Sequence, residues 1–462
     1  MCLQIIPGNT PLHAAAKSGN LDLLTHLVMN LADKETQNKH GQNPLHLACL
    51  NGHLDVVICL VENGSDEEAK EKDNWTPLHC ASRYGHTKIV KYLVMKGADI
   101  ESRRKFDWTP MHLASINNHL EVVKFLVASG ADKEARGKDN WTPLHFASQI
   151  GNLDVVKFLV QHGSQKEAKT VLGRTPLHLA TENGCLSVVK YLMENGSDKE
   201  AKDKDNWTPL HCASRYGHIK VVKYLVSKGA DIEAKRKFDW TPLHLASINN
   251  QLEVVKFLVE NGAAKEARGK DNWTPLHFAF QIGNLEVVQF LVQHGSDKEP
   301  KTVFGRAPLH LASENGCLPV VKHLVENGHD KEAKEKDSWT PLHFASRYGH
   351  IEIVKYLIMK GANIEAKRKF EWTPLHLASI NNQRQVVKYL VKNGADIDAT
   401  GKDSWTSLHF AALIGHLGVV QCLLENGADM EVETIDGLTP LQLALKNRHQ
   451  GIIKYLRKHE KS

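Results

Sequence analysis

The sequence predicts an all-α solenoid of stacked helix-turn-helix units joined by β-hairpin fingers. Three observations carry that expectation. The tetrapeptide Thr-Pro-Leu-His begins at Thr10, Thr76, Thr142, Thr175, Thr208, Thr241, Thr274, Thr340 and Thr373, always on one grid of 33 residues. Near-copies at Asn43, Thr109, Ala307, Thr406 and Thr439 fill the remaining grid points, which makes fourteen repeats. The hydrophobic fraction of 42% is that of a folded chain rather than a disordered one. A strict period in this range marks units that stack only on their neighbours, with a long surface and no enclosed catalytic cleft.

Residues 105–137 illustrate how each element follows from its residues. Thr109 is placed to cap a helix through its hydroxyl, and Pro110 suits the first helical position, where no N–H partner exists. The short helix through Met111, His112, Leu113, Ala114 and Ser115 should stop near Asn118. Gly85, Gly151 and Gly184 stand at that position in other repeats, and Asn and Gly both tolerate a left-handed turn. A second helix from Leu120 carries Leu120, Val123, Leu126 and Val127 on one face and ends at Gly130. The polar stretch that follows is too short for a third helix and reads as an extended hairpin or finger.

Thr-Pro-Leu-His-x-Ala, then Gly-His-Leu-x-x-Val-x-x-Leu, then x-x-Gly-Ala-Asp resembles the ankyrin-repeat consensus in register over essentially the whole chain. The resemblance implies antiparallel helix pairs stacked side by side, with fingers projecting at about a right angle. It also implies binding of other proteins through the finger tips and the first helices on the concave face, and a motif histidine that struts helix start to neighbouring loop.

A longer period lies inside the first. DNWTPLHCASRYGH at Asp73 returns at Asp205 and, slightly changed, at Asp337, each step being 132 residues or four repeats. The layout is two leading repeats (1–72), a first module (73–204), a second (205–336) and a third with a C-terminal cap (337–462), in one continuous solenoid. Surface-facing positions recur as well. The pair ending the first helix reads Arg83-Tyr84, Ile116-Asn117, Gln149-Ile150 and Glu182-Asn183, then Arg215-Tyr216, Ile248-Asn249, Gln281-Ile282 and Glu314-Asn315. In the third module Arg347-Tyr348 and Ile380-Asn381 persist, while Leu413-Ile414 and Lys446-Asn447 depart. At a helix spacing of roughly 8–10 Å, one surface would recur about every 40 Å. That suits a multivalent reader of an oligomeric or repetitive partner. It is also what recent tandem duplication leaves behind.

All nine tryptophans (Trp75, Trp108, Trp141, Trp207, Trp240, Trp273, Trp339, Trp372 and Trp405) directly precede the motif Thr or its near-copy. Such a row could supply binding anchors. An apolar residue five positions after each Trp also allows a hydrophobic staple, and the two roles coexist if one ring face stays open. Arg174, Arg306 and Leu438 take the slot in the fourth repeat of each module. Basic clusters Arg103-Arg104-Lys105, Lys235-Arg236-Lys237 and Lys367-Arg368-Lys369, each followed by Phe, sit in the fingers. They read as solvated tips, with the grip of an anionic polymer as the alternative.

Functional exclusions follow. GxxxxGK[ST], GxSxG and HExxH are absent, so the expectation is no catalysis, no cofactor, no metal and no small-molecule substrate. Fifty-eight basic against fifty-three acidic residues give +5, which argues against a dedicated nucleic-acid binder. The eight cysteines form no CxxC and read as packed free thiols of a reducing, intracellular compartment. No apolar run reaches the roughly 20 residues of a membrane span, and Met1–Ile6 has no charged leader, so no membrane insertion is expected. The reading is a non-catalytic scaffold or adaptor binding partner proteins, with a cytoskeletal or membrane-skeleton adaptor as its closest variant.

Overall fold

The computed structural model describes residues 8–459. The calls on Cys2, Leu3, Ile5 and Ile6 lie outside that range. Two compact units divide the chain, one running to Lys237 and one from Phe238. Among the described residues there are 28 α-helices and no strand. Helices come in pairs, and within each unit first helices pack against first helices and second against second.

Pro110–Ile116 and Leu120–Ala128 are one such pair. Thr109 is extended (φ −89°, ψ 167°), so its backbone leaves the finger and enters the helix at the first proline. The chain turns at Asn118 with φ 61°, the same left-handed conformation that Gly85 takes at φ 75°. Gly130, at φ 93°, follows the second helix.

Leu78, Ala81, Leu93, Val122, Val123 and Leu126 are completely inaccessible. Their counterparts are buried in the inner repeats, while Leu23 in the first repeat is 40% exposed, so a repeat buries its core against its neighbours. Full burial of one large aliphatic side chain is worth about 1.5–3 kcal/mol. The second helix differs from the expected face. Val122, Val123 and Leu126 are buried, whereas Leu120 and Val127 are half-exposed. The helix touches its own partner and the second helices on either side, so its buried arc centres on the Val-Val-x-x-Leu positions.

The finger is a tight turn rather than a paired hairpin. At Asp73 and Asn74 both φ values are positive (67° and 60°), and the Glu71 N–H donates to the Trp75 carbonyl at 3.0 Å. The Asn74 N–H donates in turn to the Glu71 carbonyl at 3.0 Å, and these two bonds close the turn without a strand ladder.

Besides backbone bonds between finger tips, such as Val171 N–H to the Asp139 carbonyl (2.8 Å), three side-chain hydrogen-bond series tie repeats together. His112 Nδ1 accepts from the Thr109 N–H (3.1 Å), and its Nε2 donates to the Trp141 carbonyl, one repeat on (3.1 Å). His343 and His376 repeat this in the second unit, reaching the Trp372 and Trp405 carbonyls at 3.1 Å each. The residue before the second helix bonds backward: His119 donates to the Arg83 carbonyl (2.8 Å) and His350 to the Glu314 carbonyl (2.9 Å). That close approach needs Gly85, since a Cβ there would lie 2.3 Å from His119 Nδ1. In the third series, Glu101 Oε1 accepts from the Asp132 N–H (2.7 Å) and Glu365 from the Asp396 N–H (3.0 Å).

The first series dictates protonation. A ring that accepts at Nδ1 and donates at Nε2 is the neutral Nε2–H tautomer, and a second proton would face an N–H donor. Burial accordingly pushes His79, His112, His145, His343 and His376 down to about 4. With folded values below the unfolded 6.5, stability is complete above pH 6.5 and is lost as pH falls toward 4. The Glu68, Glu101, Glu134, Glu167 and Glu365 carboxyls, raised by burial, work in the opposite sense at lower pH. Urea unfolding from pH 7 down to about 5 should therefore show net proton uptake. His112→Gln, which copies Gln442 accepting from the Thr439 N–H at 2.9 Å, should lower that uptake by about one proton.

Ala307 gives a second prediction. It stands where other repeats have the capping threonine, and only its own N–H reaches His310 Nδ1 (3.0 Å). Ala307→Thr restores the hydroxyl and should stabilise the second unit by about 1 kcal/mol in urea melts.

Candidate partner-binding surface

The pairs singled out in the sequence end the first helices, where the chain leaves the core. Arg83, Tyr84, Arg215, Tyr216, Arg347 and Tyr348 are exposed. Ile150, Ile282 and Ile414 are exposed; Ile116, Ile248, Ile380, Gln149 and Gln281 are half-buried; Asn117 and Asn249 are exposed. Each Arg lies over two rings: Arg83 stands 5.2 Å from the Trp75 ring and 5.5 Å from that of Tyr84. Arg215 and Arg347 repeat the arrangement on Trp207–Tyr216 and Trp339–Tyr348 at 5.4 Å throughout. Each guanidinium is thereby held against aromatic faces while its residue stays at the surface.

No tryptophan is fully exposed. Trp207 and Trp339 are buried, and the other seven are half-buried. The staple is present as ring contact where the residue five on is Phe: Trp141–Phe146 at 4.9 Å, Trp273–Phe278 at 4.8 Å, Trp339–Phe344 at 4.8 Å and Trp405–Phe410 at 4.9 Å. The preceding tryptophan reaches the same Phe edge-on from one repeat away, Trp108–Phe146 at 4.8 Å and Trp240–Phe278 at 4.8 Å. Gly137 permits this, because a Cβ there would stand 2.8 Å from Trp108 Cδ1.

The basic fingers are not uniformly solvated, which corrects the sequence reading. Their middle arginine is wedged between tryptophans. Arg104 lies 4.4 Å from the Trp75 ring and 4.8 Å from Trp108, and Arg368 lies 4.6 Å from Trp339 and 4.5 Å from Trp372. Burial, then the nearby Arg83, push Arg104 below its ordinary value. Two guanidiniums thus lie against each of the Trp75 and Trp339 rings, so the open ring face on which a coexisting anchor role depended is occupied within the chain.

One network escaped the sequence. In the fourth repeat of the first module Arg174 fills the tryptophan slot and pairs with Glu182, with its Nε 3.6 Å from Asp203. The Tyr216 hydroxyl donates to Glu182 Oε1 (3.1 Å) and His218 Nε2 to the Glu182 carbonyl (2.9 Å). The second unit repeats it: Arg306–Glu314 at 2.7 Å and Tyr348–Glu314 at 3.3 Å. The covariation of Arg174 with Glu182 and of Arg306 with Glu314 was the available signal, eight residues apart in both copies.

The family model for ankyrin repeats (three copies) matches residues 12–104, 102–170, 167–236, 230–302, 309–401 and 399–462. The chain belongs to the ankyrin-repeat family. A search of curated proteins returned no match.

In these ankyrin repeats the motif histidines and the most deeply buried cysteines have structural surroundings. Motif imidazoles are neutral struts, and burial raises the Cys49 and Cys80 thiols and pushes Cys212 up to about 12. A thiol held protonated is neither nucleophile nor metal ligand. Among the described residues no three His, Cys, Asp or Glu side chains group to hold a metal, and no helix is long and apolar enough to cross a membrane.

Arg174→Ala strands Glu182 among half-buried groups and should cost about 1–3 kcal/mol in thermal or urea unfolding. Lys105 pairs with Asp73 at 3.0 Å, but both side chains are half-exposed, so Lys105→Ala should cost less than about 0.5 kcal/mol.

Proposed function

We propose that this protein is a non-catalytic scaffold or adaptor that holds partner proteins on the first-helix ends and fingers of its repeats. Ankyrin repeats are generally protein–protein interaction modules. The observation that carries the reading is a set of tyrosine–arginine platforms on rigid helices. Tyr84, Tyr216 and Tyr348 are 45%, 44% and 43% exposed, each with its arginine already ordered against Trp and Tyr. Ordered Tyr and Arg side chains lose little entropy on binding and supply the anchors that dominate interfaces. Free thiols at Cys49, Cys59, Cys80, Cys185, Cys212, Cys317 and Cys422 support an intracellular, cytoplasmic setting.

The near-identity of the three platforms favours a second reading of the same chemistry: a cytoskeletal or membrane-skeleton adaptor gripping an oligomeric partner several times. The four-repeat modules 73–204, 205–336 and 337–462 would then be its binding units. Quantitative affinity capture separates these readings. One variant carries Arg83→Ala and Tyr84→Ala; a second adds the same changes at positions 215, 216, 347 and 348. A multivalent reader loses partners in steps as platforms are removed, whereas a single-site scaffold loses them in one step. Retention of the whole partner set by the full variant would refute the platforms as the binding surface and place binding in the fingers or the two leading repeats. Steep loss of binding with added salt would instead identify an anionic polymer.

A further inference from the structure

Phe106 is the least expected residue on the finger tips. Its φ is 70°, in the left-handed region, where Asp73 and Asp139 stand in the fingers on either side at 67° and 59°. Asp and Asn accept that conformation readily, whereas a bulky aromatic does not. Phe106 gains little core burial in return, being 43% exposed. Phe238 (69°) and Phe370 (67°) repeat the feature, with 43% and 45% exposed. A strained residue outside the core points to a role at a site.

What Phe106 does is wall a cleft. Phe106, Trp108, Lys138, Asp139, Trp141 and Phe146 line a hollow of about 330 Å³. That is the lower end of ligand-sized clefts, room for one or two side chains. The walls recur at nearly the same distances: Phe106–Trp108 6.3 Å, Phe238–Trp240 6.2 Å and Phe370–Trp372 6.2 Å. A lysine from the next finger overhangs each Phe, Lys138 at 5.1 Å, Lys270 at 5.4 Å and Lys402 at 5.6 Å.

Charge is segregated around the cleft. The carboxylates at the finger base are committed to backbone amides: Asp99 to the Glu101 N–H (2.9 Å), Glu101 to the Asp132 N–H (2.7 Å), and Glu134 to the Gln165 N–H (2.9 Å). Toward the tips the exposed cations Arg103, Lys105, Arg136 and Lys138 outnumber the exposed carboxylates of Asp73, Asp107 and Asp139, and of these cations Lys105 pairs with Asp73 at 3.0 Å. We propose that each aromatic cleft seats one apolar side chain of an extended acidic polypeptide, whose carboxylates lie against the finger-tip cations. This rests on the protein-binding reading above and assigns that reading a site and a partner chemistry.

The ring geometry favours a peptide over a nucleic acid. Trp108 meets Phe146 at 71° and Trp141 meets it at 39°, so the walls form a wedge and offer no parallel pair to sandwich a base. Asp139 at the rim suits peptide N–H donors, which a phosphodiester backbone lacks.

The test selects phage-displayed random dodecapeptides on the intact chain. Recovered peptides are then titrated by fluorescence anisotropy against wild type and a Phe106→Asn, Phe238→Asn, Phe370→Asn variant. The expected peptides carry an apolar residue flanked by Asp or Glu and weaken roughly tenfold or more on the variant. Asparagine relieves the left-handed strain, so the variant's thermal midpoint should stay level or rise, separating a binding role from a structural one. Peptides without acidic residues, equal affinity for the variant, or displacement by single-stranded oligothymidine at lower concentration would each overturn the proposal. Peptides that survive the Phe changes but are lost on the Tyr84, Tyr216, Tyr348 platform variant would end the cleft assignment and leave the scaffold reading standing. No recovered peptide, together with no captured protein, would end both.

Discussion

The structure depends on one hydrogen bond, from the motif imidazole to the carbonyl one repeat on. His79 and the Trp108 carbonyl, 3.0 Å apart, are an example. The bond fixes more than spacing. Because the same ring accepts from its own helix cap, the imidazole is locked neutral and cannot act as a base or a cation. Because the acceptor belongs to a tryptophan, the bond also sets where that indole emerges. Trp108 then meets Phe146 in the following repeat. One side chain thus couples helix capping, repeat stacking and the aromatic surface in the repeats where a tryptophan carbonyl is the acceptor. In a solenoid with only neighbour contacts such couplings carry the register.

The backward bond completes the register. His119 holds the Arg83 carbonyl, the residue whose guanidinium lies on Trp75 and Tyr84. Each repeat is therefore held forward through its helix start and backward through its second helix, and the arginine platform is built on a backbone atom already bonded. The exposed arginine and tyrosine of this platform project from backbone fixed by the next repeat. This favours a surface that binds by preorganised shape rather than by folding around its ligand.

Sequence reasoning recovered whatever is encoded within one repeat. Thr109 at the N-cap position, the turn at Asn118 and the stop at Gly130 follow from local backbone chemistry, although the Thr109 hydroxyl meets His112 Nδ1 (3.0 Å) instead of a backbone N–H. Most features it missed involve contacts with other repeats, the Arg174–Glu182 pair within one repeat being the exception. Arg104 was read among its neighbours Arg103 and Lys105 as a solvated charge, yet its partner Trp75 lies a full finger earlier. Glu182 looked like one more surface position until Arg174 and Tyr216 closed on it. The apolar face of the second helix was misplaced for the same reason, since a helical wheel sees one partner and the stacked helix has three.

The linear stacking that makes these contacts invisible to local reading also explains how the chain tolerates Phe106. In a globular core, a bulky residue at positive φ disturbs packing that is shared by the whole domain. In a solenoid, stability is close to a sum of repeat and interface contributions, so the cost at one finger tip stays there. The side-chain bonds that hold the register run through the helix starts and the finger base, away from Phe106. The bonds between neighbouring tips, such as Val171 N–H to the Asp139 carbonyl (2.8 Å), are backbone to backbone and do not depend on the side chain there. Finger tips are therefore the positions where a repeat can carry a residue chosen for something other than folding. Phe106, Phe238 and Phe370 stand at those positions, whereas the buried Leu-His and Val-Val sites are held to packing and hydrogen bonding alone.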